Sequence, residues 1–142
     1  MSKSRSKGLT FIELVVSLAI LAILASIALP LSELTVKRAR ETELREALRE
    51  LRTAIDKYKD NYDKGIFGLK KVGASGYPKS LEELLEKKLL RKLPADPITK
   101  QEWGTRSFND KYDSFVSDKL DVYDVYCNTE ETALDGTNYK NW

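Results

Sequence analysis

The chain has 142 residues, 24 of them basic and 22 acidic, with a formal charge of +2, no histidine and one cysteine, Cys127. That inventory excludes Ser-His and Cys-His nucleophilic machinery, histidine metal centres, multi-thiolate zinc sites and any intramolecular disulfide. Lys3, Arg5 and Lys7 all precede Gly8, so the remainder has 21 basic against 22 acidic residues; nucleic acid finds no electrostatic footprint there. Nor does the spacing of the carboxylates, lysines and tyrosines compose a catalytic set, and an enzyme is not expected.

In chain order, the basic leader ends at Gly8, and Leu9-Thr10-Phe11-Ile12-Glu13 leads into a run from Leu14 to Ser32 without a charge. As a helix at about 1.5 Å per residue, that run nearly crosses a hydrocarbon core of roughly 30 Å. It is longer than the apolar region of a usual signal peptide, of about 7–15 residues. A membrane anchor with Lys3, Arg5 and Lys7 in the cytoplasm fits better, but a plain anchor leaves Glu13 unexplained, because a carboxylate at the edge of a membrane segment is costly without a partner. Ala19, Ala22, Ala25 and Ala28 offer small surfaces for close helix approach, or are simply good helix formers. Pro30 lacks an N–H, so the Ser26 carbonyl loses its helical partner and a kink is expected.

From Glu33 the pattern turns amphipathic. Leu44, Ala47, Leu48, Leu51, Ala54, Ile55, Tyr58 and Tyr62 recur at helical spacing, with Glu33–Lys37 and Glu41–Arg45 in the favourable four-apart order on the other face. Gly65 and Gly68 end this helix. The glycine-containing stretch 65–76, with Lys70 and Lys71, is a connecting loop without phosphate-loop spacing. Ser80 and Glu83 have capping-box spacing, and Leu81, Leu84, Leu85 and Leu89 define the buried side of a short helix. Leu93-Pro94-Ala95-Asp96-Pro97 breaks it. Thr105–Phe108 and Val122–Tyr126 read as strands separated by a polar, aspartate-rich loop, and Asp135-Gly136 is a turn signal.

The order Gly8, Leu9-Thr10-Phe11-Ile12-Glu13, apolar helix resembles the processing site of the type IV pilin superfamily, although Phe or Met is more usual than Leu9 after the glycine. The resemblance implies a prepilin peptidase that cuts after Gly8 and methylates the new amine of Leu9. Glu13 would then neutralise an amine, its own or that of a neighbouring subunit, and so set assembly register. Tyr77-Pro78, Ser80-Leu81-Glu82-Glu83-Leu84, Leu93-Pro94-Ala95-Asp96-Pro97 and Trp103-Gly104 are similar to segments of the major pseudopilins of type II secretion. The fold so implied is α+β and pilin-like, a long N-terminal helix packed on a small antiparallel sheet of three or four strands.

On this reading residues 1–8 are a cytoplasmic leader, 9–32 a transmembrane and filament-core helix, and 33–142 a periplasmic head. The expected function is that of a pseudopilus subunit in protein export, anchored in the inner membrane by a single span. Its partners would be further copies in a helical filament, minor pseudopilins, an inner-membrane assembly platform and the prepilin peptidase. A surface pilin for adhesion, motility, DNA uptake or electron transfer is the alternative; a monomeric membrane-anchored binding domain would leave Glu13 idle. The resemblance also implies calcium in the last loop, at Glu130 and Asp135 with Asn128 or Thr129 as further oxygen donors. A solvated acidic turn is the competing reading, with Tyr126, Tyr139 and Trp142 holding the loop by aromatic packing. No organic cofactor is expected.

Overall fold

The computed structural model describes residues 10–69, 73–110 and 118–142, with the side chains at 28–31 outside that description. The chain divides into two compact units, Met1–Lys37 and Arg38–Trp142. Helix α1, Phe11–Asp63, contributes 53 residues and runs through both. Pro30 does not divide it, because a single proline forfeits one carbonyl partner while the turns to either side keep theirs. The kink expected at Pro30 falls on residues 28–31, which lie outside that description. Lys70 and Lys71 lie outside the described residues.

In the first unit every side chain from Phe11 to Ile27 is exposed. α1 holds a window of mean hydropathy 2.7, none of it buried, so by length and composition it can cross a membrane.

In the second unit the amphipathic stripe is the backbone of the core. Leu44, Leu51 and Ile55 are at most 1% exposed, and Ala47, Leu48, Ala54 and Tyr58 are buried beside them. Each fully buried Leu or Ile contributes roughly 1.5–3 kcal/mol of transfer free energy. α1 then closes as a Schellman motif: Ile66 N–H donates to Asn61 O at 3.0 Å and Gly65 N–H to Tyr62 O at 3.0 Å. Gly65 takes the left-handed conformation that this stop requires, with φ +73°.

Helix α2 is Leu81–Glu86, with Leu81 and Leu84 buried. Leu90 is buried and Leu89 only partly. The expected Ser80–Glu83 capping box does not form, because Glu83 is drawn elsewhere. Its Oε1 accepts the Tyr58 hydroxyl at 2.6 Å and its Oε2 the Lys79 N–H at 2.8 Å.

The sheet has two strands among the described residues, not three or four. β1, Gly104–Arg106, pairs antiparallel with β2, Asp124–Tyr126, in the register Gly104↔Tyr126, Thr105↔Val125, Arg106↔Asp124. Both strands stop short of the sequence expectation for a visible reason. Ser107 N–H donates to Asp110 Oδ2 at 2.7 Å and Phe108 N–H to Asp121 Oδ1 at 2.9 Å, so these amides are unavailable to a ladder. Val122 N–H donates to Pro78 O instead, at 2.7 Å. Residues 132–138 make a single bridge, Thr132↔Asn138, around the Asp135-Gly136 turn. A short 3-10 helix, Tyr139–Asn141, follows.

Candidate functional site

Glu13 stands exposed in the first turn of α1, where the partial positive charge of the helix N-terminus favours a carboxylate. Thr10 and Glu13 have the Thr-x-x-Glu spacing of a capping box and form its reciprocal contacts, though long ones. Thr10 N–H and Oγ1 each donate to Glu13 Oε2 at 3.5 Å, and Glu13 N–H donates to Thr10 Oγ1 at 3.4 Å. The carboxylate therefore folds back over the start of the helix. Ser17 Oγ donates to the Glu13 carbonyl at 2.7 Å. Gly8 and Leu9, the expected cleavage and methylation positions, lie outside the described residues.

The head has a second constellation, which local spacing hides. Glu41 does not pair with Arg45. Its Oε1 accepts Leu134 N–H at 2.8 Å and the Tyr139 hydroxyl at 2.9 Å. Arg45 instead lies over the Trp142 ring, 4.0 Å from its centroid, and 3.5 Å from Asp135 Oδ2. Arg52 reaches three partners: Asp124 Oδ1 at 2.7 Å, Val125 O at 3.0 Å and Trp142 O at 2.7 Å. Together these clamp the C-terminal segment to α1. Trp142 Nε1 adds a bond to Thr137 Oγ1 at 2.7 Å, and its ring meets Tyr139 edge-on at 5.1 Å. Burial, then the Glu41 carboxylate, pushes the Tyr139 hydroxyl above its ordinary pKa. Tyr58 is raised in the same way by burial and Glu83.

Glu130 and Asp135, the residues expected to hold calcium, each have a polar partner of their own. Glu130 Oε1 is paired with Lys140 Nζ at 2.8 Å, and the lysine holds its carboxyl below the usual range. Asp135 Oδ1 accepts Thr137 Oγ1 at 2.6 Å and Thr137 N–H at 2.9 Å. Those bonds, then Arg45, hold it low as well. Among the described residues no group of three or more His, Cys, Asp or Glu side chains could hold a metal ion. The three aromatic residues named from sequence are deployed in two places. Tyr139 and Trp142 meet each other, whereas the Tyr126 ring covers Gly104, where an added Cβ would approach to 2.4 Å, and lies under Arg106.

The proline-aspartate segment also has a local logic. Asp96 is fully buried, and its Oδ1 accepts Ile98 N–H at 2.8 Å and Thr99 N–H at 3.2 Å, turning the chain. Trp103 Nε1 donates to Pro94 O at 2.8 Å, which ties the two ends of that turn. The Cys127 thiol is buried, and burial together with Asp96 pushes its pKa up, so it is not a reactive thiolate at neutral pH.

Residues 3–29 match the family described as the prokaryotic N-terminal methylation motif. The motif is typical of type IV pilin-like proteins. No curated protein and no solved structure matches the chain. A long N-terminal helix with a small antiparallel sheet is the pilin-like α+β architecture.

Proposed function

We propose that the chain is the structural subunit of a helical filament assembled from the inner membrane, and specifically of a type II secretion pseudopilus. One observation carries this reading: the methylation motif at residues 3–29 coincides with an exposed apolar helix whose first turn presents Glu13. A prepilin peptidase removes residues 1–8 and methylates Leu9. Outside water, the resulting ammonium and the Glu13 carboxylate are each costly alone and much less so together. When that amine belongs to the preceding subunit, the pair fixes the axial register of each addition. Work for export comes from elsewhere in the machine, since the chain has no nucleotide-binding motif.

The choice of a secretion filament over a surface pilus is supported by the Tyr77-Pro78, Leu93-Pro94-Ala95-Asp96-Pro97 and Trp103-Gly104 segments. In this chain the last two of these segments are tied together by the Trp103–Pro94 bond. The head faces the periplasm, where the assembly platform and minor pseudopilins meet it.

Two measurements test the proposal. Intact-mass analysis of the mature chain is expected to show loss of residues 1–8 and one N-methyl group at Leu9, and Glu13→Ala is expected to remain in the membrane while failing to assemble. An uncut N-terminus, or normal filaments from Glu13→Ala, would refute it. In a deletion strain, exported proteins retained in the periplasm support the pseudopilus, whereas loss of surface fibres with export intact selects the pilus.

A further inference from the structure

Five to eight residues beyond the apolar run, α1 carries Lys37, Arg38 and Arg40. Arg38 and Arg40 are exposed. The acid that helical spacing sets against Arg38 is Glu41, and that carboxylate is spent on Leu134 N–H and the Tyr139 hydroxyl. Glu43 stands three residues beyond Arg40, yet among the described residues no ion pair engages either guanidinium. The fold thus removes the nearest neutralising charge and leaves two arginines facing solvent.

Their distance from the apolar run is informative. Arg38 lies six residues beyond Ser32 and Arg40 eight, about 9 and 12 Å along the helix. A bilayer of about 40–45 Å with a hydrocarbon core of about 30 Å leaves roughly 5–8 Å of polar layer on each side. Arginine stems can bend back by a few ångströms, so both guanidinium groups reach the phosphate level of a bilayer crossed by residues 14–32. Charge counting sharpens the point. Lys37, Arg38 and Arg40 equal in number the leader's Lys3, Arg5 and Lys7. Under the positive-inside tendency, cations flanking the exported side oppose the orientation that the leader favours. Contact with lipid phosphate gives them a use on that side.

We propose that Arg38 and Arg40 bind the phosphates of anionic phospholipid headgroups where the apolar helix leaves the membrane. The planar guanidinium donates two parallel hydrogen bonds to phosphate oxygens, which a lysine cannot match. The contact fixes the depth of the helix in the bilayer and must be broken when a subunit is withdrawn into a filament. The proposal rests on the membrane-inserted state of the proposed function.

The test uses the full chain in mixed phosphatidylcholine and phosphatidylglycerol vesicles, with the lipids that co-purify after mild detergent extraction counted by mass spectrometry. Wild type is expected to carry phosphatidylglycerol well above its bulk fraction. Since each cation near an anionic surface is worth roughly fivefold in partition, R38Q/R40Q is expected to bind phosphatidylglycerol about 25-fold more weakly, with its enrichment brought close to the bulk fraction. It should still resist alkaline carbonate extraction, and R38K/R40K should restore only part of the enrichment. Wild type without enrichment, or R38Q/R40Q with undiminished enrichment, overturns the proposal. So do cross-linked dimers in pure phosphatidylcholine that vanish in R38Q/R40Q, which would assign the arginines to an acidic face of a second copy. Wild type washed from the vesicles by carbonate is a separate failure, that of the membrane reading itself.

Discussion

Two stretches of α1 are rich in the same aliphatic residues and meet opposite surroundings. From Phe11 to Ile27 every side chain is exposed, whereas Leu44, Leu48, Leu51 and Ile55 are buried in the head. The first stretch is apolar on all sides and must be covered all round by lipid or by other helices. The second has one apolar stripe, so a single chain can cover it. Periodicity, rather than hydrophobicity, separates the part of a helix that folds alone from the part that waits for an environment.

The sharpest way to break that contrast is to truncate one leucine in each stretch. Leu51→Ala is expected to lower the unfolding free energy of the head by about 2–5 kcal/mol, a cavity in a closed core. Leu21→Ala is expected to change it by less than about 0.5 kcal/mol. Urea denaturation of the full chain in detergent reads both, and equal losses would refute the division.

A smaller effect is expected at the polar clamp. Arg52→Ala removes three hydrogen bonds, to Asp124, Val125 and Trp142, and with charge-assisted bonds among them it should cost about 1.5–3 kcal/mol. Hydrogen exchange is expected to speed up first at residues 132–142; a loss confined to the α2 region would contradict the clamp.

The smallest effect is alkaline. The folded-state pKa of Tyr139 lies above the unfolded value near 10.0. The folded head therefore holds a proton that the unfolded chain releases, and stability falls as pH rises from about 10 toward the folded pKa. Tyr139→Phe should lose about 1 kcal/mol at neutral pH and flatten the alkaline decline of the melting temperature. An unchanged slope would mean that the Glu41–Tyr139 bond does not govern it.

The stripe, the short helix and the turn at Asp135-Gly136 were legible because each is written in neighbouring residues. The clamp was not, because its partners are far apart in the chain: 98 residues separate Glu41 from Tyr139 and 90 separate Arg52 from Trp142. Local spacing gave Glu41 to Arg45, and the buried Tyr139 hydroxyl outcompeted a solvent-exposed ion pair. Strand ends were misjudged because composition does not say that Asp110 and Asp121 will take the amides of Ser107 and Phe108. At Glu13 the Thr-x-x-Glu spacing was in plain view, and it shows that a residue read for assembly also caps its own helix.

The long sequence span of the clamp has a consequence for how the head comes into being. Glu41 and Arg52 lie early in the chain, and the groups that satisfy them arrive only with residues 124–142. Contacts of such high order are slow to close. The core that covers the apolar stripe draws on Leu81, Leu84, Leu90, Val122 and Val125, so completing the clamp needs more of the chain than covering the stripe does.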